Sequence, residues 1–85
     1  VPVPAALAVI WNGADDVVEV SDAHIDEAMR LLFDTTHQVA EGAGAAPLAA
    51  LLGAEDRAGK RVGIIMTGGN VDRAHYARVL EYSPR

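Results

Sequence analysis

The sequence predicts an α/β fold in which helices flank a partial parallel sheet, and three patterns support this prediction. Residues 62–66, Val-Gly-Ile-Ile-Met, form an apolar run that is typical of a parallel strand covered on both faces. Residues 16–20 are rich in valine and predict a second, shorter strand. Between and after these segments, the residues predict helices. An alternation of strands and helices is typical of α/β proteins.

The first two predicted helices lie in the N-terminal half of the chain. Residues 5–10 predict a short helix. Ser21 and Asp22 predict the N-terminal cap of a longer helix that runs to about Asp34. Its apolar side chains recur at the helical spacing i, i+3, i+4 and i+7, which predicts one apolar face. The residues of this face are Ile25, Ala28, Met29 and Leu32.

Residues 42–52 carry no charge and consist mainly of alanine, glycine and leucine. Proline is tolerated only near the start of a helix, so Pro47 predicts a helix that begins at 43–45 and ends at Gly53. A helix that is apolar on every side has no solvent face. We therefore expect protein to surround this helix.

The turn Thr67-Gly68-Gly69-Asn70 follows the apolar run, and the last helix is predicted over 71–81 with Asn70 as its cap. Open α/β sheets bind ligands where a strand ends and a helix begins. Glycines let a ligand approach the backbone, and a helix N-terminus favours an anion or an acceptor. The turn is therefore a candidate ligand site; the alternative is a tight structural turn.

Length and charge limit the classes of function. The chain has 85 residues, enough for one small domain over 1–85, and a net charge of −5. This charge disfavours nucleic acid and anionic membranes as partners. No apolar run is long enough to span a membrane. The lack of cysteine excludes disulfide scaffolds and fits a cytoplasmic protein.

The same residues predict an incomplete unit. The run 62–66 and the helix over 43–52 both need cover that three modest helices cannot supply, and two strands do not form a stable sheet. The first residue is Val1 rather than methionine, which agrees with a piece of a longer protein. We expect either the remainder of a parent chain or another copy of this chain to provide the cover. The second case is a small non-enzymatic binding module that homo-oligomerises.

Other candidate sites are less specific. Glu41 precedes the uncharged segment and is a candidate acid or base if it is buried; the alternative is a solvated carboxylate. The glycines at 42–47 are not a dinucleotide-binding motif, because Pro47 stands where the third glycine belongs. The histidines match no metal-binding spacing, so no metal site is predicted. They are His24, His37 and His75.

Two motifs, Glu-Gly-Ala-Gly-Ala-Ala at 41–46 and Thr-Gly-Gly-Asn-Val-Asp at 67–72, resemble the C-terminal end of the pyridoxal-phosphate (PLP) enzymes of fold type II. The chain is most similar to the threonine/serine dehydratases and serine racemase. Val-Glu-Val-Ser-Asp at 18–22 and the helix after it resemble the segment before the glutamate motif of that family. The resemblance covers nearly the whole chain and implies a fragment of the large domain.

The resemblance implies roles for four residues. At the position of Thr67 the family usually has serine, whose hydroxyl bonds the pyridine nitrogen of PLP; Thr67 keeps the hydroxyl and adds a methyl group. Glu41 matches the glutamate near the proton-relay network. Gly68 and Gly69 match glycines that bring the backbone close to the ring. These residues are the predicted cofactor-binding set, and Glu41 is also the candidate proton-relay residue.

The resemblance also implies what this chain lacks. Family members hold PLP as a Schiff base on a lysine in an N-terminal segment, and no such motif occurs here. The only lysine, Lys60, precedes the predicted strand and so lies at the wrong end of a sheet for this role. We expect the 85 residues alone to be inactive. The implied parent converts a small hydroxy-amino acid to a 2-oxo acid and ammonia; racemisation stays open.

Overall fold

The computed structural model describes residues 3–82, and these residues form helices joined by irregular segments. Helix α1 spans Pro4–Gly13, α2 spans Asp22–Thr36, α3 spans Gly42–Gly53 and α4 spans Arg73–Glu81. Helix α2 is the centre of the arrangement, because it packs against both α3 and α4.

The predicted partial parallel sheet is wrong: residues 3–82 contain no β-strand. The segments 16–20 and 62–66 have no regular structure, and apolar side chains in both are exposed. A strand is stabilised by hydrogen bonds to a neighbouring strand, and no such neighbour lies in the described part of the chain. The composition of these segments favours strands, but composition alone does not supply the pairing partner.

The helix boundaries follow from local capping. The hydroxyl of Ser21 accepts a hydrogen bond of 3.1 Å from the backbone N–H of His24, which confirms the predicted cap of α2. Helix α4 begins later than predicted, because the carboxylate of Asp72, and not Asn70, caps it by accepting from the His75 N–H. Helix α3 begins at Gly42 and contains Pro47.

The core is small and formed mainly by alanine. Helix α2 contributes the predicted apolar face, and α3 packs on it through its smallest residues. These small residues let the backbones of α2 and α3 approach each other closely. The buried apolar residues are Ala28, Met29, Leu32, Ala40, Ala45, Ala49 and Val79.

Arg30 joins α2 to α4. Its Nη1 atom donates a 3.2 Å hydrogen bond to the carbonyl of Val79, near the C-terminal end of α4. Its guanidinium also lies 4.8 Å from the ring centroid of Tyr82. A cation near the C-terminus of a helix is favourable, because the carbonyls there carry partial negative charge.

The ring of Tyr76 on α4 packs edge-on against Phe33 of α2, with ring centroids 6.4 Å apart. The Tyr76 hydroxyl is shielded from water and has no hydrogen-bond partner within residues 3–82. This burial, and secondarily the negative charge of Asp34, raises the pKa of Tyr76 above its usual value of 10.0.

We expect Tyr76→Phe to raise the free energy of unfolding by about 1 kcal/mol, because it removes a buried and unpaired hydroxyl. Because the pKa of Tyr76 is raised in the folded state, the free energy of unfolding has its full value below pH 10 and decreases as the pH rises above 10. Urea denaturation between pH 7 and 11 measures both effects. Tyr82→Phe, on an exposed ring, is the control. If the free energy of unfolding fell equally with pH above 10 in the wild type and in Tyr76→Phe, the raised pKa of Tyr76 would be contradicted.

Helix α1 buries none of its side chains against the rest of the described chain. Trp11 is 83% exposed, and Val9 and Ile10 are also exposed. The apolar side chains of α1 therefore have no cover in this part of the chain.

No helix within residues 3–82 is long and apolar enough to cross a membrane.

Candidate functional site

The structure brings the two glycine-containing motifs together at the first turn of α3. The backbone N–H of Glu41 donates a 2.9 Å hydrogen bond to the carbonyl of Gly68. Glu41 directly precedes α3, so this bond anchors the turn 67–70 at the beginning of that helix. Residues that are distant in the sequence are thus brought into contact.

Two glycines make this close approach possible. A Cβ atom at Gly44 would lie 2.7 Å from the carbonyl oxygen of Gly68 and 3.2 Å from its nitrogen. A Cβ atom at Gly69 would collide with the carbonyl oxygen of Val39. Both obstacles are backbone atoms, so rotation of a side chain cannot relieve them. The turn 67–70 and the segment 39–44 are therefore in direct backbone contact.

The side chain of Glu41 is directed toward the turn. Its Oε1 atom lies so close to Gly68 that a Cβ atom there would collide with it. The carboxylate makes no capping hydrogen bond to α3, although Glu41 holds the N-cap position. The residue is partly buried. Within residues 3–82, its carboxylate thus lies against Gly68 without capping the helix.

Thr67 is exposed at the beginning of the turn, and its hydroxyl makes no hydrogen bond within the described residues. The turn itself is tightened by a bond of 2.9 Å from the N–H of Val71 to the carbonyl of Gly69. The structure therefore brings together all four predicted site residues, with a neutral hydroxyl and a carboxylate next to two glycines.

The other candidates lie apart from this arrangement. Lys60 forms an exposed ion pair of 2.9 Å with Asp56. His37 ends α2 in the left-handed conformation, with φ of 58°. Within residues 3–82, no three histidine, aspartate or glutamate side chains are grouped so that they could hold a metal ion.

Sequence reasoning missed the contribution of Gly44 and Val39 to the site. Val39 carries no chemical signal, because it meets Gly69 mainly through its backbone carbonyl. Gly44 carries a signal, because alanine and glycine on the surface of a helix indicate close approach of a neighbouring element, but the sequence does not say which element approaches. Gly44 interrupts an alanine-rich helix near its start, and glycine is a poor helix former, so a close backbone approach is one reason for its presence.

Curated proteins that are similar to this chain are named as dehydratases and ammonia-lyases. An L-threo-3-hydroxyaspartate ammonia-lyase of a Pseudomonas species is 42% identical over 74 residues, 86% of this chain and 23% of the relative. A phenylserine dehydratase of Ralstonia pickettii is 47% identical over 71 residues, 81% of this chain and 22% of the relative. A catabolic L-threonine dehydratase of Staphylococcus aureus is 36% identical, over 96% of this chain and 25% of the relative.

The chain thus spans a quarter or less of the length of these relatives. No family model matches the chain. No solved structure matches it.

Proposed function

We propose that this chain is the C-terminal segment of a PLP-dependent dehydratase. The chain belongs to the family of the threonine, hydroxyaspartate and phenylserine dehydratases and ammonia-lyases. The observation that carries the proposal is the bond from the Glu41 N–H to the Gly68 carbonyl. It joins the two motifs on which the family resemblance rests. The segment supplies the part of the cofactor site that faces the pyridine nitrogen.

The residues fit this cofactor. An exposed hydroxyl that lacks a partner among residues 3–82 is available to a ring nitrogen. Thr67 would hold the pyridine nitrogen through its hydroxyl, and Gly68 and Gly69 would bring the backbone close to the ring. PLP, when bound, supplies an electron sink for the carbanion at the α-carbon of an amino acid.

The chemistry of the two polar residues is complementary. The Thr67 hydroxyl is neutral, so it can bond the ring nitrogen without favouring its protonation as a carboxylate would. The Oε1 atom of Glu41, next to Gly68, can hold or release a proton beside the site. This pair suits elimination of water from a hydroxy-amino acid, followed by loss of ammonia.

The lysine that binds the cofactor comes from outside this segment. Lys60 is engaged with Asp56 and is exposed, so it is not assigned a catalytic role. The remainder of the longer protein also covers the apolar side chains that α1 and 62–66 expose. Trp11, 83% exposed, and Ile65, 76% exposed, are the clearest examples.

The test is Thr67→Val in the full-length protein, because valine keeps the shape of threonine and removes the hydroxyl. We expect the dissociation constant of PLP to rise and kcat to fall, each by about tenfold, which corresponds to one lost hydrogen bond of about 1.4 kcal/mol. The melting temperature of the cofactor-free protein should not change. Visible absorbance of bound PLP and product formation from L-threonine, L-serine and 3-hydroxyaspartate are the measurements.

Two variants control this experiment. Thr67→Ser keeps the hydroxyl and should bind PLP as the wild type does. Thr35→Val changes an exposed threonine on α2, where the hydroxyl bonds only the Leu31 carbonyl, and should leave binding unchanged. A full-length wild type that binds no PLP would refute the proposal. Equal PLP affinity in Thr67→Val and wild type would reduce Thr67 to a turn residue.

A further inference from the structure

We propose that Gly44 is a positioning residue for the cofactor site: the absence of a side chain at 44 determines where Thr67 stands. This inference rests on the proposed function, because it assigns a purpose to the position of Thr67. Gly44 itself touches neither substrate nor cofactor. It acts through the peptide group of Gly68, which lies against it.

The geometry leaves no room for any other residue at 44. A Cβ atom there would lie 2.7 Å from the Gly68 oxygen, and real Cβ atoms essentially never approach another atom so closely. Gly44 is buried in the first turn of α3, next to Ala45 of the core. Since α3 is held by that core, the turn is the part that must move. Its displacement also strains the bond between the Glu41 N–H and the Gly68 carbonyl.

Helix propensity predicts the opposite outcome. Alanine is a better helix former than glycine, so Gly44→Ala should improve α3 if the residue served only the helix. Gly53 provides the matched control, because it lies in the same helix and a Cβ atom there meets nothing within 4 Å. The two substitutions add the same methyl group to α3, but only at 44 does a backbone carbonyl lie in its way.

Gly68 gives an independent comparison on the other side of the contact. A Cβ atom at 68 meets the Oε1 atom of Glu41, the mobile end of a flexible side chain, and no backbone atom. Gly68→Ala should therefore leave the turn in place and move only the carboxylate. Gly44→Ala should move the turn itself.

The experiment compares Gly44→Ala, Gly53→Ala and Gly68→Ala in the full-length protein. We expect Gly44→Ala to weaken PLP binding and lower kcat by about tenfold or more, since a misplacement of about 1 Å can cost up to about 100-fold. Gly53→Ala should match the wild type. In Gly68→Ala the Glu41 amide should stay protected from hydrogen exchange, because the added methyl group meets the Glu41 carboxylate and not the backbone of the turn.

Hydrogen exchange tests the contact without cofactor or activity. The Glu41 N–H is bonded to Gly68, whereas the N–H groups of Gly42 and Ala43 lie in the first turn of α3, where helices provide no internal partner. We expect the Glu41 amide of the wild type to exchange at least about tenfold more slowly than those two amides, because only it is hydrogen-bonded. Gly44→Ala should remove this protection. This measurement on the wild type holds even if Gly44→Ala does not fold.

The outcomes separate the two proposals. A wild type that protects the Glu41 amide but binds no PLP refutes the proposed function and leaves the contact intact. A wild type that binds PLP, with Gly44→Ala equal to Gly53→Ala in affinity and kcat, overturns the positioning role. An unprotected Glu41 amide in the wild type overturns it as well.

Discussion

Replacing Met29 by alanine is expected to lower the free energy of unfolding by about 2–5 kcal/mol, the usual range for truncating a large buried side chain. Met29 is the largest fully buried side chain of residues 3–82, with 0% exposure. The other buried core residues are mostly alanines, which cannot extend into the space that the methionine leaves. The cavity would therefore persist, and the cost should fall in the upper part of the range.

Urea denaturation, monitored by circular dichroism, measures this loss. Leu80→Ala is the matched control, because Leu80 is 37% exposed and lies on α4, outside the core. It should cost under about 1 kcal/mol, since substitutions outside the core have small effects. Losses of equal size in the two variants would show that Met29 is not the centre of the core.

Replacing Ala45 by leucine is expected to destabilise the protein by about 1–3 kcal/mol, because it forces extra volume between α2 and α3. Ala45 is 0% exposed, and it belongs to the cluster that contains Ala28 and Met29. The added atoms must push α3 away from α2. Because Gly44 directly precedes Ala45, this displacement of α3 should also disturb the contact between Gly44 and Gly68.

The control for this variant lies in the same turn of the helix. Ala43 is exposed, so Ala43→Leu adds the same atoms on the solvent side of α3. We expect its melting temperature to stay near that of the wild type, and that of Ala45→Leu to fall by several degrees. A melting temperature of Ala45→Leu at or above that of Ala43→Leu would show that α2 and α3 are not closely packed at this point.

The sequence predicted the helices because their signals are local. The apolar spacing of α2 and the cap at Ser21 are both readable within a few residues, and the structure confirms them. The strands failed for the opposite reason. The composition of 62–66 indicates a preference for a covered, paired segment, but pairing depends on residues elsewhere, and the described chain offers none.

The roles of the candidate site residues stay a prediction, but the motifs that contain these residues are readable in the sequence. Thr67 and Glu41 belong to two motifs that are specific for the family only when they occur together. Their proximity was not predictable from either motif alone, because it depends on how α3 and the turn pack. The collision that a side chain at Gly44 would cause with Gly68 is visible only in three dimensions.

The single backbone bond between Glu41 and Gly68 has a consequence for how related chains can change in length. The link 55–61 between α3 and the apolar run is exposed and forms neither helix nor strand. Insertions or deletions there alter the path of the connection but not the two ends that meet. One extra residue between 41 and 44 would instead rotate Gly44 by about 100° around the helix axis, away from the turn. Homologous chains should therefore vary in loop length between the motifs and stay invariant in length within them.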